Sequence, residues 1–249
     1  MKLWYETVLP STQEPIGKLN KIKSDIVFLH GTGSNARMWK NQVAFFSRLG
    51  HTCTLMDLRG HGLSHEPYEK TDLEVHRRDV LETLQNSKVQ FPAYFVGHSL
   101  GAIVALVIAE KHPELVKAVF AACMPAKLVK PVQLFFTLFI NGPMQALKES
   151  PIKQYLPWRE QTLIEMPFFT MKEIANYFST CDLLEKSPEV NCPVHISAAR
   201  FDPLAIHWHT KQLHKKMPDS TFKTFEWAGH NVMDYRTHDF NSWILDYLN

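Results

Sequence analysis

The segment Tyr94-Phe95-Val96-Gly97-His98-Ser99-Leu100-Gly101-Ala102 restricts the fold more than any other part of the chain. An apolar run suited to a strand leads into G-x-S-x-G, and the stretch that follows stays apolar to Ala109. In such a strand, turn and helix the serine sits on a sharp bend that pushes its Oγ clear of the sheet. Glycines are needed on either side because side chains there would collide with the neighbouring strand and helix. With 13 serines and 10 glycines in 249 residues, chance supplies this spacing in about 2% of shuffled chains, before a strand and a helix are required.

Short β-rich runs alternate with longer helical patterns around this segment, the mark of βαβ units and a largely parallel sheet. Strands are predicted over residues 3–9, 25–29, 52–56, 93–96 and 116–122, with helices over 37–48, 73–86 and 100–111 between them. The 100–111 helix is apolar nearly all round, so it is expected to be buried. Between residues 124 and 190 the rhythm breaks. Seven of the 15 prolines fall there, with a single glycine, Gly142, and paired aromatics at Phe135-Phe136 and Phe168-Phe169. Proline punctuation of this kind predicts short helices. The βα rhythm then returns, with strands over 194–198 and 221–226 and helices over 204–216 and 238–248. The expected organisation is one α/β core, 1–123 and 191–249, interrupted by a helical insertion over 124–190.

Composition narrows the function. Lys plus Arg, 27, against Asp plus Glu, 25, leaves +2 and no basic stripe, which argues against a nucleic-acid partner. The longest apolar run, residues 102–109, is far short of the roughly 20 residues of a membrane-spanning helix. Glu6 stands where a signal peptide would be apolar, so the expectation is a cytoplasmic protein. Cys53, Cys123, Cys181 and Cys192 form no CxxC pair and are expected to be free thiols. His207-Trp208-His209 does not make a metal site, because residues two apart on a helix do not share a face, and no HExxH occurs. No cofactor is implied.

A nucleophilic serine needs a base and an acid to orient that base. Asp202 and His230 each follow a predicted strand, in the chain order Ser, Asp, His. Open parallel sheets put their sites at such strand ends. The other position for the acid, after the strand ending at Ala122, is empty, since no Asp or Glu occurs from residue 121 to 148. An oxyanion needs preorganised N–H donors. One is the amide of Leu100. The second is expected from His30-Gly31-Thr32-Gly33, with Thr32 favoured and Gly33 the alternative.

The motifs His30-Gly31-Thr32-Gly33, Asp57-Leu58-Arg59-Gly60-His61-Gly62-Leu63-Ser64, Gly97-His98-Ser99-Leu100-Gly101, Asp202 and Gly229-His230 together resemble the α/β-hydrolase superfamily, over the whole chain except the insertion. The resemblance implies an eight-stranded, mostly parallel sheet with helices on both faces and a helical cap, here residues 124–190. Serine at position 99, where relatives that open epoxides or remove halides carry Asp, argues against those chemistries. The expected activity is an esterase- or lipase-like serine hydrolase acting on a small-molecule carboxylic ester or thioester. A carbon–carbon bond hydrolase, an acyltransferase or a slow-turnover ligand receptor are the alternatives, in a monomer or homodimer. Gly31, Gly33, His98, Phe135, Phe139 and Trp158 are expected to line the substrate pocket, which the aromatic insertion makes largely apolar. The stretch 231–236 is less typical of the resemblance.

Overall fold

The computed structural model describes residues 1–11, 23–65 and 71–248. Its sheet runs β1 (Tyr5–Val8), β3 (Cys53–Met56), β2 (Ile26–Leu29), β4 (Ala93–His98), β5 (Val116–Ala122), β6 (Val194–Ala199) and β7 (Ser220–Phe225). Only β1 is antiparallel, paired with β3; every other neighbour is parallel. Of the eight strands the resemblance implies, seven lie among the described residues.

The central strands are buried on both faces, which is why they read as unbroken apolar runs rather than as alternating ones. Val27, Leu29 and Phe95 pack on one side with α2 (Leu73–Gln85) and α3 (Leu100–Lys111). Ile26, Phe28, Tyr94 and Val96 point to the other, against α1 (Lys40–Arg48) and the C-terminal helices. Helix α3 is enclosed almost completely, as its all-round apolar sequence predicts. Helix α2 starts where Asp72 accepts the Val75 amide at 2.8 Å, an N-cap.

Between β5 and β6 lie α4 (Lys130–Ile140), α5 (Pro143–Glu149), a 3-10 turn, α6 (Trp158–Glu165) and α7 (Phe168–Thr180). Prolines at the first or second position of α4 and α5, where the missing N–H costs nothing, set two of these starts. After β6 come α8 (His207–Lys216), then β7, α9 (Val232–Tyr235) and α10 (Thr237–Leu245).

Three boundaries differ from expectation. The 37–48 helix opens as a 3-10 turn, Ala36–Trp39, because the Asn35 side chain caps the Arg37 amide. The 204–216 helix starts at His207, since the Asp202 carboxylate gathers the Leu204 and Ala205 amides into a turn first. The expected 238–248 helix runs over Thr237–Leu245, and a short helix, Val232–Tyr235, precedes it where none was expected. Among the described residues, no helix is long and apolar enough to cross a membrane.

Candidate active site

Ser99 occupies the bend between β4 and α3 with φ 52° and ψ −114°. Such a backbone costs about 1–3 kcal/mol for a residue with a side chain and persists only where surroundings impose it. Here they do. The Ser99 amide donates to Ala122 O of β5 at 3.0 Å. A Cβ on Gly97 would strike the backbone of Gly101 and Ala102, and one on Gly101 the carbonyls of Leu29 and His30. Both glycines of the motif are therefore required by close approach of backbone to backbone.

Asp202 and His230 follow β6 and β7 at the same edge of the sheet. His230 Nδ1 lies 2.8 Å from Asp202 Oδ2, and the carboxylate is fully enclosed. Its other oxygen accepts the amides of Leu204 and Ala205 at 2.8 and 2.9 Å. That leaves the acid no rotational freedom and holds the imidazole in the tautomer with Nε2 unprotonated. The neighbouring Cys123 thiol is held well above its ordinary range, by burial first and then by the Asp202 charge. Behind His230, His98 donates from Nε2 to the His230 carbonyl at 2.9 Å, with ring centroids 4.6 Å apart. Burial, and after it the charges of His230 and Arg159, keep His98 neutral.

The loop after β2 faces the bend. The Gly33 amide donates to His61 Nε2 at 3.1 Å, so it is already engaged, while Thr32 belongs to the cavity wall. The cavity wall includes both expected donors, Thr32 and Gly33. Leu100 begins α3, where the first amides have no partner within a helix. Two buried histidines tie this loop to the Asp57–Gly62 turn. His30 Nε2 accepts the Leu58 amide at 2.9 Å, and His61 Nδ1 donates to Arg59 O at 2.9 Å. Burial pushes His30 down to about 4 and His61 to about 3, so both are neutral acceptors at neutral pH. Asp57 completes the turn by accepting the Ala36 and Leu63 amides.

A cavity of about 520 Å³ opens on Ser99 and His230. Thr32, Gly33 and His98 line it, as expected. The insertion supplies Leu134, Phe136, Leu163, Met171, Ile174 and Phe178. Phe135, Phe139 and Trp158 do not line it, and neither does Gly31. Helical phase explains the first two: on α4 the buried side runs through Phe136 and Ile140, leaving Phe135 exposed at 61% and stacked on Phe139 at 6.1 Å. Trp158 instead lies under two guanidiniums, Arg37 at 5.3 Å and Arg159 at 4.6 Å. Gly31 gives His98 room, since a Cβ there would sit 2.6 Å from His98 Nδ1.

The cavity also contains a residue that sequence reasoning passed over. Arg159 bonds Asp234 Oδ2 at 2.6 Å and Ser34 Oγ at 3.1 Å. The signal was present in the atypical 231–236 stretch, which contributes Asp234 and the wall residue Asn231, but nothing in the sequence pairs positions 159 and 234. Among the described residues, no cluster of three or more His, Cys, Asp or Glu could hold a metal ion.

The family model described as alpha/beta hydrolase fold matches residues 26–141. The chain is 34% identical to the non-heme chloroperoxidase of Streptomyces lividans over 107 residues, 42% of this chain and 38% of that protein's length. Solved structures agree over nearly the full length. The enol-lactonase from Burkholderia xenovorans LB400 superposes with a TM-score of 0.79 at 19% identity, covering 98% of this chain and 95% of that one. The esterase EaEST from Exiguobacterium antarcticum gives 0.81 at 17% identity, covering 98% and 94%. The strand order, the serine on its bend, the family model over residues 26–141 and the superposed structures agree on the α/β-hydrolase fold.

Proposed function

We propose that this chain is a serine hydrolase that cleaves a carboxylic ester or thioester with an apolar acyl or alcohol part. His230 takes the proton from Ser99 Oγ as Oγ bonds to the substrate carbonyl carbon. The amides of Leu100 and Thr32 receive the oxyanion. Collapse breaks the carbon–oxygen or carbon–sulfur bond, His230 protonates the departing alcohol or thiol, and the acyl group stays on Ser99. Water, deprotonated by His230, then releases the acid and restores Ser99. Asp202 holds the imidazole in the required tautomer throughout. No cofactor enters.

The observation that carries this reading is the 2.8 Å contact of His230 Nδ1 with a fully enclosed Asp202, at the wall of the cavity that Ser99 also lines. Ester and lactone hydrolysis, named for two of the solved structures of this fold, is chemistry of the same kind. Residues 124–190 act in this reading as a lid over the core, 1–123 and 191–249, and give the pocket its apolar side. The protein works on a small molecule in the cytoplasm, as a monomer or homodimer.

The test is Ser99→Ala. It should abolish ester hydrolysis and labelling by a fluorophosphonate probe while the fold is retained, since a triad serine carries several orders of magnitude of rate. Persistent labelling of the alanine variant would mean that another serine is the nucleophile.

A further inference from the structure

Three buried polar atoms among the residues of the cavity wall have no hydrogen-bond partner: Thr32 Oγ1, His98 Nδ1 and Arg159 Nη2. A buried polar group left unpaired costs about 1–3 kcal/mol, and more when it is charged. The other unpartnered side-chain atoms of the described residues belong to none of this wall. His98 Nδ1 is covered by the bare backbone of Gly31. That leaves a hydroxyl and a guanidinium.

Arg159 is held on three sides: Nε by Asp234, Nη1 by Ser34 and its flat face by Trp158. Only Nη2 is unspent. A guanidinium is always protonated and can only donate, so the group it awaits must be an acceptor. Asp234 already balances the charge, so that acceptor can be neutral or anionic. Thr32 fixes where the acceptor sits, because the same residue supplies the amide assigned to the oxyanion. Its hydroxyl belongs to the same residue, in the wall that Ser99 also lines.

We propose that Arg159 and Thr32 form a polar subsite that selects esters carrying a second oxygen acceptor, an oxo or carboxylate oxygen, beside the scissile carbonyl. The apolar remainder of the substrate lies against Met171, Ile174 and Phe178. This inference rests on the serine-hydrolase reading and names its substrate class. A site built to pair a substrate oxygen rejects the analogue that lacks it, because its own buried donors are then stranded.

The experiment compares kcat/KM for methyl 3-oxohexanoate and methyl hexanoate, and for monomethyl succinate and methyl pentanoate, each normalised to the ester's hydroxide-catalysed rate. Wild-type enzyme should favour the oxygenated member of at least one pair by about ten- to a hundredfold, the range of one charge-assisted hydrogen bond. The oxo pair and the half-ester pair distinguish a neutral acceptor from an anionic one. Arg159→Met should collapse the preference and Arg159→Lys should restore part of it. Because Arg159 also braces the insertion, Thr32→Val provides a second route: it removes only the hydroxyl and should lower the same ratio. No preference in wild type, or variants that slow every ester alike, would overturn the subsite. Fluorophosphonate labelling of wild-type Ser99 separates the two levels. Labelling without an oxygen preference overturns the subsite alone, and no labelling with no ester turned over overturns the hydrolase reading with it.

Discussion

The Gly33 amide donates to His61 Nε2 across 3.1 Å, joining the loop that faces Ser99 to a histidine 28 positions away. That bond sets the direction of the next amide back, Thr32, without using it. Removing one oxyanion donor outright typically costs 10²–10³ in turnover. Loosening its support by His61→Ala should cost less, about tenfold in kcat with little change in KM. Steady-state kinetics on a p-nitrophenyl ester checks this, and an unchanged kcat would show that the loop is held by other contacts.

Asp202→Asn keeps the shape of the carboxylate but, with Oδ1 still taken by the Leu204 and Ala205 amides, turns an NH2 donor toward His230 Nδ1, which must then accept and leave the proton on Nε2. With no freedom left at Oδ1, the imidazole is held in the wrong tautomer. Turnover should fall by about 10⁴, as in the general triad case. Fluorophosphonate labelling should slow in parallel. A nearly normal rate would move the orienting acid to another residue.

Burial makes stability depend on pH through several histidines, three of them in one cluster beside the Asp57–Gly62 turn. His30 is pushed down to about 4, and His61 and His76 to about 3. The unfolded chain binds these protons near the ordinary value of about 6.5, so below that pH it holds more protons than the folded chain does. Stability is therefore full above about 6.5 and is lost as pH falls toward the folded values. The slope is up to about 1.4 kcal/mol per pH unit for each histidine. Asp25 and Asp57 are raised by burial and work in the opposite sense at more acidic pH. Urea unfolding between about pH 7 and about pH 5.5, nearer the histidine reference than the carboxylate one, should show a falling midpoint. A flat profile would mean that these rings are charged in the folded protein.

The apolar side of the cavity predicts a chain-length profile. Each methylene buried against Met171, Ile174 and Phe178 contributes up to about 0.8 kcal/mol, so kcat/KM should climb up to about fourfold per carbon until the pocket is full. Phe136→Ala should move the optimum to longer chains, whereas Phe135→Ala should not, since only Phe136 belongs to the wall. The reverse pattern would put α4 in a different rotation.

How much of this was legible in the sequence follows from the range of the interactions. The bend at Ser99 was readable because strand, glycines and helix are contiguous. Asp202 and His230 were readable as candidates from their strand ends, the chain order and the lack of any Asp or Glu from residue 121 to 148. The pocket wall was not. Which side of α4 faces inward depends on packing against α7, so Phe135 and Phe139 look as suitable as Phe136 until the helix is placed. Arg159 was missed for the same reason, since its partners Ser34 and Asp234 lie 125 and 75 positions away.

The glycines of two core loops bear on the insertion as well as on the turns they make. A Cβ on Gly33 would enter the side chain of Leu163 on α6, and one on Gly60 that of Thr170 on α7. Both have positive φ. The helices that close over the cavity thus rest directly on naked backbone, with no side-chain layer to absorb a change. Grafting the insertion of another hydrolase onto this core should succeed only if its residues at those two contacts are no bulkier than Leu163 and Thr170. Substrate range in this chain can therefore diversify through the inward side chains of α4 and α7 while the way the roof is seated stays constant.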